Sequence, residues 1–289
     1  MQKKAAVFIL LGQSNAVGHG VPMAEVDRIT EPMKNVFGLS RADNQSFDHD
    51  HLVWSGYTGD MNLAETQDHT WSVANALALQ WQAEIDAGNP RNLPDLYIIQ
   101  IAIGAQGVSD KFMWYPYREK KLVPGPLGTA DISLFPYACH ILSMVNDSLR
   151  ARGLVPEYRL HWRGGEEDTG IPVDTLKTTL RPLYDTLLSG LYHALGQRVK
   201  TILHLLPFVE RCLDMDPSGE SLKSMHFVND TFARLAADND NISLFDPCLA
   251  PHYVPDTRDH NLYIEDVVHY TPETNRWVAS VILRDGFDL

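Results

Sequence analysis

The chain predicts an α/β fold, a three-layer sandwich with helices on both faces of a five-stranded parallel sheet. Two observations carry this. Strand-like apolar runs alternate with helix-like segments along most of the 289 residues. Three of those runs end in glycine-rich turns, at Gly12, at Gly104-Ala105 and at Gly164-Gly165. Ligands of open parallel sheets sit at the carboxyl ends of the strands, so the turns predict one site built from all three.

The elements follow in order. Residues 5–11 are an unbroken apolar run and read as a buried first strand. Residues 21–70, about fifty positions, read as a long polar loop with one short strand-like piece at 35–39. Val73, Leu77, Trp81 and Ile85 recur every four residues and predict a helix, which Gly88-Asn89-Pro90 stops. Residues 96–103 read as a central strand, and 116–128 as a second long loop. Ile141, Leu142, Val145 and Leu149 mark a helix, and 158–162 the next strand. Leu176 to Leu191 predict a helix that contains Pro182, so it is expected to start late or to kink. Then come a strand at 201–206, a helix carrying Val228, Phe232 and Leu235, and a last strand at 242–245. Thr271-Pro272-Glu273 opens the terminal helix with an N-cap, a proline at the first position and an acid in the first turn. No repeat interrupts the pattern, so a single domain over 1–289 is expected.

An apolar content of 44% supports a large core. A net charge of −13 argues against a nucleic-acid partner, which needs a basic footprint, and against an anionic membrane surface. Cys139, Cys212 and Cys248 are too few and too far apart for a disulfide framework or a zinc motif, and read as buried free thiols. The amino-terminal apolar run is short and leads into Gly12-Gln13-Ser14-Asn15 rather than a small-residue cleavage site. The chain as given is therefore expected to be cytoplasmic, a secreted precursor being the other reading. The composition leaves the oligomeric state open.

Ser14 follows the first strand directly. A serine nucleophile needs a base, and the base needs an orienting carboxylate. His269 is the candidate base, and Asp266, three residues earlier, the candidate orienter. Backbone N–H groups at Ser14 and at Gly104 or Ala105 are candidate donors to the oxyanion of a tetrahedral intermediate. The bland alternatives are a helix-capping serine, a surface Asp and His, and plain turn glycines.

Together these blocks resemble the SGNH hydrolases, and within them the carbohydrate acetylesterase branch of sialate O-acetylesterase-like and family 6 proteins. Gly12-Gln13-Ser14-Asn15 matches a G-Q-S-N nucleophile block, and Asp266-Val267-Val268-His269 a D-x-x-H block. Gly104-Ala105-Gln106-Gly107 with Trp114 is similar to the second block. Residues Trp162-Arg163-Gly164-Gly165-Glu166-Glu167-Asp168 resemble W-x-Q-G-E-x-D. The resemblance implies a flavodoxin-like sandwich and a serine esterase acting on acetyl or other short acyl groups of carbohydrates. It implies Ser14, Asp266 and His269 as the triad and no cofactor. Gln13, Gly104, Ala105, Gln106, Gly164, Gly165 and Glu166 become oxyanion or substrate-binding candidates. One departure is plain: the third-block glutamine falls on Gly164, so its N–H, Arg163 or Gln106 would have to substitute. A glycan-binding module with weakened catalysis is the alternative reading. Glu166 and Asp168 are expected to tie the third block to the first.

Three further signals complete the reading. Asp48-His49-Asp50-His51 could converge on a metal or form a solvated loop, and the proposed chemistry calls for no metal. Trp114-Tyr115-Pro116-Tyr117 could face a sugar or pack the loop. No phosphate-cradling G-x-x-x-x-G-K-[ST] or G-x-G-x-x-G motif is present, which disfavours a nucleotide-binding protein.

Overall fold

The computed structural model describes residues 3–42, 46–48, 50–63, 66–119, 132–208, 216–255, 260–266, 268–285 and 287. Its sheet has seven strands in the order β3-β2-β4-β1-β5-β6-β7, where five were expected. The five expected strands are β1 (Lys3–Gly12), β4 (Asp95–Ala102), β5 (Leu154–Arg163), β6 (Lys200–His204) and β7 (Ile242–Phe245). They are parallel and lie in the order β4-β1-β5-β6-β7, the flavodoxin-like 2-1-3-4-5 arrangement. The other two come from residues 21–70: one is the short strand-like piece read at 35–39, and the other lies in a stretch read as loop. β2 (Val36–Leu39) adds parallel to β4, and β3 (Trp54–Gly56) adds antiparallel at the edge. The three residues of β3 carry too few positions for a periodic signal.

The unbroken apolar run of β1 has a simple cause. The strand is central, so both of its faces are covered, and residues Ala5 to Leu11 are all fully buried. Ala5, Val7, Ile9 and Leu11 face α3 (Leu134–Ala151), α4 (Val173–Leu195) and α5 (Glu220–Asp238). Ala6, Phe8 and Leu10 face α2 (Val73–Asp86) and α6 (Pro272–Asp285). The helix with Pro182 starts nine residues before it and runs through it, so the late start is not observed. The missing proline N–H would have bonded the carbonyl of Thr178, and both residues lie on the exposed face of the helix. At α6, the backbone N–H of Thr274 donates to the hydroxyl of Thr271, the capping the sequence announced. Among the described residues, no helix is long and apolar enough to cross a membrane.

Candidate active site

Gly12 pairs in register with Ala102 on one side and Arg163 on the other, so β1, β4 and β5 end level. The connection order reverses between β1 and β5, and a crevice opens at such a point. The three predicted glycine turns therefore meet at one edge of the sheet.

Gly12 has a φ of +142°, and a Cβ there would lie 1.9 Å from the carbonyl oxygen of Arg163. Only glycine fits so close an approach. The Trp114 indole N–H donates to the Gly12 carbonyl at 2.8 Å, and the Gln13 N–H donates to the Arg163 carbonyl at 3.0 Å. The carbonyl of Gln13 accepts from Ala16 and Val17, which starts the one-turn helix α1 (Ser14–Val17). Ser14 is its first residue, so the Ser14 N–H has no acceptor within the helix. Gly104 lies alongside: a Cβ on it would be 3.7 Å from Cβ of Ser14. Ala105 next to it adopts a left-handed φ of 57°.

Asn15 connects this block to the last one. Its amide nitrogen donates to the Val268 carbonyl at 2.9 Å, and its amide oxygen accepts from the Tyr270 N–H at 3.1 Å. The two flanks of His269 thus hang on the residue that follows Ser14. From the other end of α1, the His19 N–H donates to the Ser14 carbonyl at 3.1 Å. The His19 ring packs edge-on against the His269 ring, with centroids 5.7 Å apart.

Asp266 and His269 form a local pair. One carboxylate oxygen of Asp266 accepts from the N–H groups of Val268 and His269, each at 2.9 Å. The other lies 2.5 Å from Nδ1 of His269. Burial opposes the charge of Asp266, but these backbone donors and the imidazole outweigh it and hold the carboxyl below its ordinary value. An ionised Asp266 fixes the proton on Nδ1 and leaves Nε2 as the nitrogen able to accept one.

The third block is held by its acids. Oε1 of Glu166 accepts from the Asn15 amide at 2.8 Å, so Glu166 reaches the first block as expected. Asp168 does not: its carboxylate accepts from the N–H groups of Val108 and Ser109 and, at 2.9 Å, from the Ser109 hydroxyl. It therefore ties the third block to the second. Burial pushes Asp168 up to about 6, against the pull of those donors. A Cβ on Gly107 would lie 2.5 Å from the Asp168 carboxylate, which explains a glycine there.

The remaining candidates are placed as follows. Gly165 faces the core, where a Cβ would meet Val228 at 3.0 Å, and Gly164 lies against the Trp162 indole. The side-chain oxygen of Gln106 accepts from the Met113 N–H at 2.9 Å. Arg163 bonds Asn275 at 2.9 Å and lies over the Tyr270 ring, engaged toward α6. The Gln13 side chain is buried, and its oxygen has no hydrogen-bond partner among the described residues. Sequence reasoning singled out neither the bracket made by Asn15 nor the His19 contact. The Asn of the first block was a possible signal for the former, and the latter left none. Trp114 is buried beneath the site, whereas Tyr117 is largely exposed with its hydroxyl on Thr186.

Asp48 accepts from the N–H groups of Asp50 and His51, and His49 lies outside the described residues. Among the described residues, no group of three or more His, Cys, Asp or Glu could hold a metal ion. Cys139 and Cys248 are free and half-buried, and Cys212 lies outside the described residues.

No family model and no curated protein matches the chain. Solved structures do. The crystal structure of NanS superposes with a TM-score of 0.60 at 14% identity, over 98% of this chain and 97% of that one. A carbohydrate acetylesterase from Xanthomonas citri superposes with a TM-score of 0.50 at 12% identity, over 98% of this chain and 57% of that one. At such identities the shared property is the architecture, and the chain has the SGNH-hydrolase fold.

Proposed function

We propose that this chain is a serine carboxylic-ester hydrolase that removes acetyl or other short acyl groups from carbohydrates. The observation that carries the reading is the bracket of Asn15 on both sides of His269, which ties the Asp266–His269 pair to the helix that begins at Ser14. The carbohydrate acetylesterase of the same fold supports the substrate class.

In this reading Ser14 Oγ attacks the ester carbonyl while His269 Nε2 takes its proton. The oxyanion rests on N–H groups of Ser14 and of the Gly104-Ala105 turn, with the Gly164 N–H in the place of the family's glutamine. The C–O bond to the sugar then breaks, and His269 returns the proton to the leaving oxygen. Water, activated by the same imidazole, attacks the acyl-enzyme and frees the acid and Ser14.

Labelling with a serine-directed fluorophosphonate tests the nucleophile. A single adduct mapped to Ser14, and lost when His269→Ala is treated, is the expected result. An intact protein that takes no label would favour a glycan-binding module instead.

A further inference from the structure

We infer that Arg163 is a positioning residue for His269, and that it acts through the ring of Tyr270. The inference rests on the esterase reading, because that reading makes His269 the base. Arg163 ends β5 and touches both halves of the site. Its backbone carbonyl accepts from the Gln13 N–H at 3.0 Å, which sets the strand end from which Ser14 departs. Its side chain reaches the turn that carries His269. The guanidinium lies over the Tyr270 ring, 4.5 Å from the centroid, and donates to the Asn275 side-chain oxygen at 2.9 Å.

Asn15 holds that turn by its backbone, at Val268 and Tyr270. Two hydrogen bonds from one side chain leave the turn able to pivot about that amide. The Tyr270 ring is a second anchor. It is buried, packs on the guanidinium and stacks on the Tyr263 ring with centroids 4.9 Å apart. Asn275 fixes the guanidinium in turn, since its amide nitrogen donates to the Trp71 carbonyl at 3.2 Å.

Packing alone does not call for a cation here. Arg163 is 2% exposed, and its Nε has no hydrogen-bond partner among the described residues. Burial opposes its charge, and Tyr270 and Glu166 offset this only in part. A methionine would fill similar space without that penalty. Arginine adds two directed contacts, a flat cation against a ring face and a hydrogen bond to α6. Both are engaged at Tyr270 and Asn275, which assigns the guanidinium to the base rather than to the oxyanion.

The test is a double-mutant cycle on p-nitrophenyl acetate with Arg163→Met and Tyr270→Leu, folding being checked by near-ultraviolet circular dichroism. Arg163→Met should lower kcat about 10²-fold with KM little changed, the scale of a slight misplacement of a catalytic group. Tyr270→Leu should lower it as much, and the double variant no further, because all three lose one contact. Arg163→Lys keeps a cation for the ring and should recover about tenfold. Losses that multiply in the double variant, a loss confined to KM, or undiminished kcat in Arg163→Met would overturn the inference. So would a lysine variant no better than the methionine one. A wild type that cleaves no ester would sink the esterase reading itself. The contact is then read by NMR on the His269 ring signal, assigned by its loss in His269→Ala. A signal that shifts or splits in Arg163→Met, or in Arg163→Lys where the methionine variant does not fold, would support the positioning role, and an unmoved signal would overturn it.

Discussion

Asn15 holds His269 from both sides, by accepting from the N–H of Tyr270 and donating to the carbonyl of Val268. The same amide donates to Glu166, so one side chain joins three of the four sequence blocks. Its polar contacts are buried, where each partner left unsatisfied costs more than the bond itself contributes. Asn15→Ala should therefore lower stability by about 2–4 kcal/mol, measured by urea unfolding. It should lower kcat more than it raises KM. Asn15→Asp should not rescue either quantity, because it removes the donor and sets a second carboxylate beside Glu166. Full rescue by Asp would contradict this account of the contact.

Asp266→Asn separates orientation from fold. An amide oxygen can still accept from the N–H groups of Val268 and His269, which preserves the turn. The contact to Nδ1 of His269 loses its charge, and the imidazole is free to take the wrong tautomer. Unfolding should change little, whereas kcat should fall by about 10³–10⁴-fold. Ester hydrolysis and a melting curve on the same sample check both halves.

Gly12→Ala and Gly170→Ala form a matched pair. The first places a methyl group 1.9 Å from the Arg163 carbonyl oxygen on a backbone at φ +142°, and the second meets open space. The first should cost more than about 3 kcal/mol or abolish folding, and the second should stay within about 0.5 kcal/mol. Comparable melting temperatures for the two variants would show that Gly12 is not the constraint.

Stability should fall on acidification, and a buried imidazole pair should cause much of the fall. His161 and His204 lie beneath the sheet edge with ring nitrogens 3.0 Å apart. Burial, then the Arg163 and Arg159 charges, push His161 down to about 3, and burial with Arg163 and His161 lowers His204 well below its ordinary value. Folded-state values below the unfolded ~6.5 mean that the unfolded chain binds more protons as pH drops through that point. The pair's contribution is present above about pH 6.5 and is lost as pH falls toward 3. Asp168 acts in the opposite sense, since its value is raised to about 6 and its contribution is lost as pH rises through it. Two imidazoles against one carboxylate leave the acid loss dominant. Melting temperatures from pH 8 to 4 should drop in the wild type and drop less in the double variant His161→Phe/His204→Leu. Parallel curves would assign the acid loss to other groups.

The sequence was legible where the physics is local or strongly periodic. The run at 5–11 announced a doubly covered strand, and the four-residue spacing of Val73, Leu77, Trp81 and Ile85 announced α2. The glycine turns announced the edge where the blocks meet, because strands that end level must turn there. β3 was not legible, since three residues become a strand only through pairing with β2. Nor was the destination of Asp168. Spacing within a block says which residues travel together, but whether a carboxylate reaches Asn15 or Ser109 is decided by how β4 and β5 are placed around β1. His19 stayed hidden for the same reason: its neighbour His269 lies far along the chain, brought near by Asn15.

The most direct test is hydrolysis of p-nitrophenyl acetate by the wild type and by Ser14→Ala, with butyrate and octanoate esters alongside. The account predicts turnover of acetate that falls as the acyl chain lengthens and that disappears in Ser14→Ala, with the melting temperature of the variant unchanged. Undiminished turnover by a folded Ser14→Ala would contradict it, because no other residue in the account can form the acyl-enzyme.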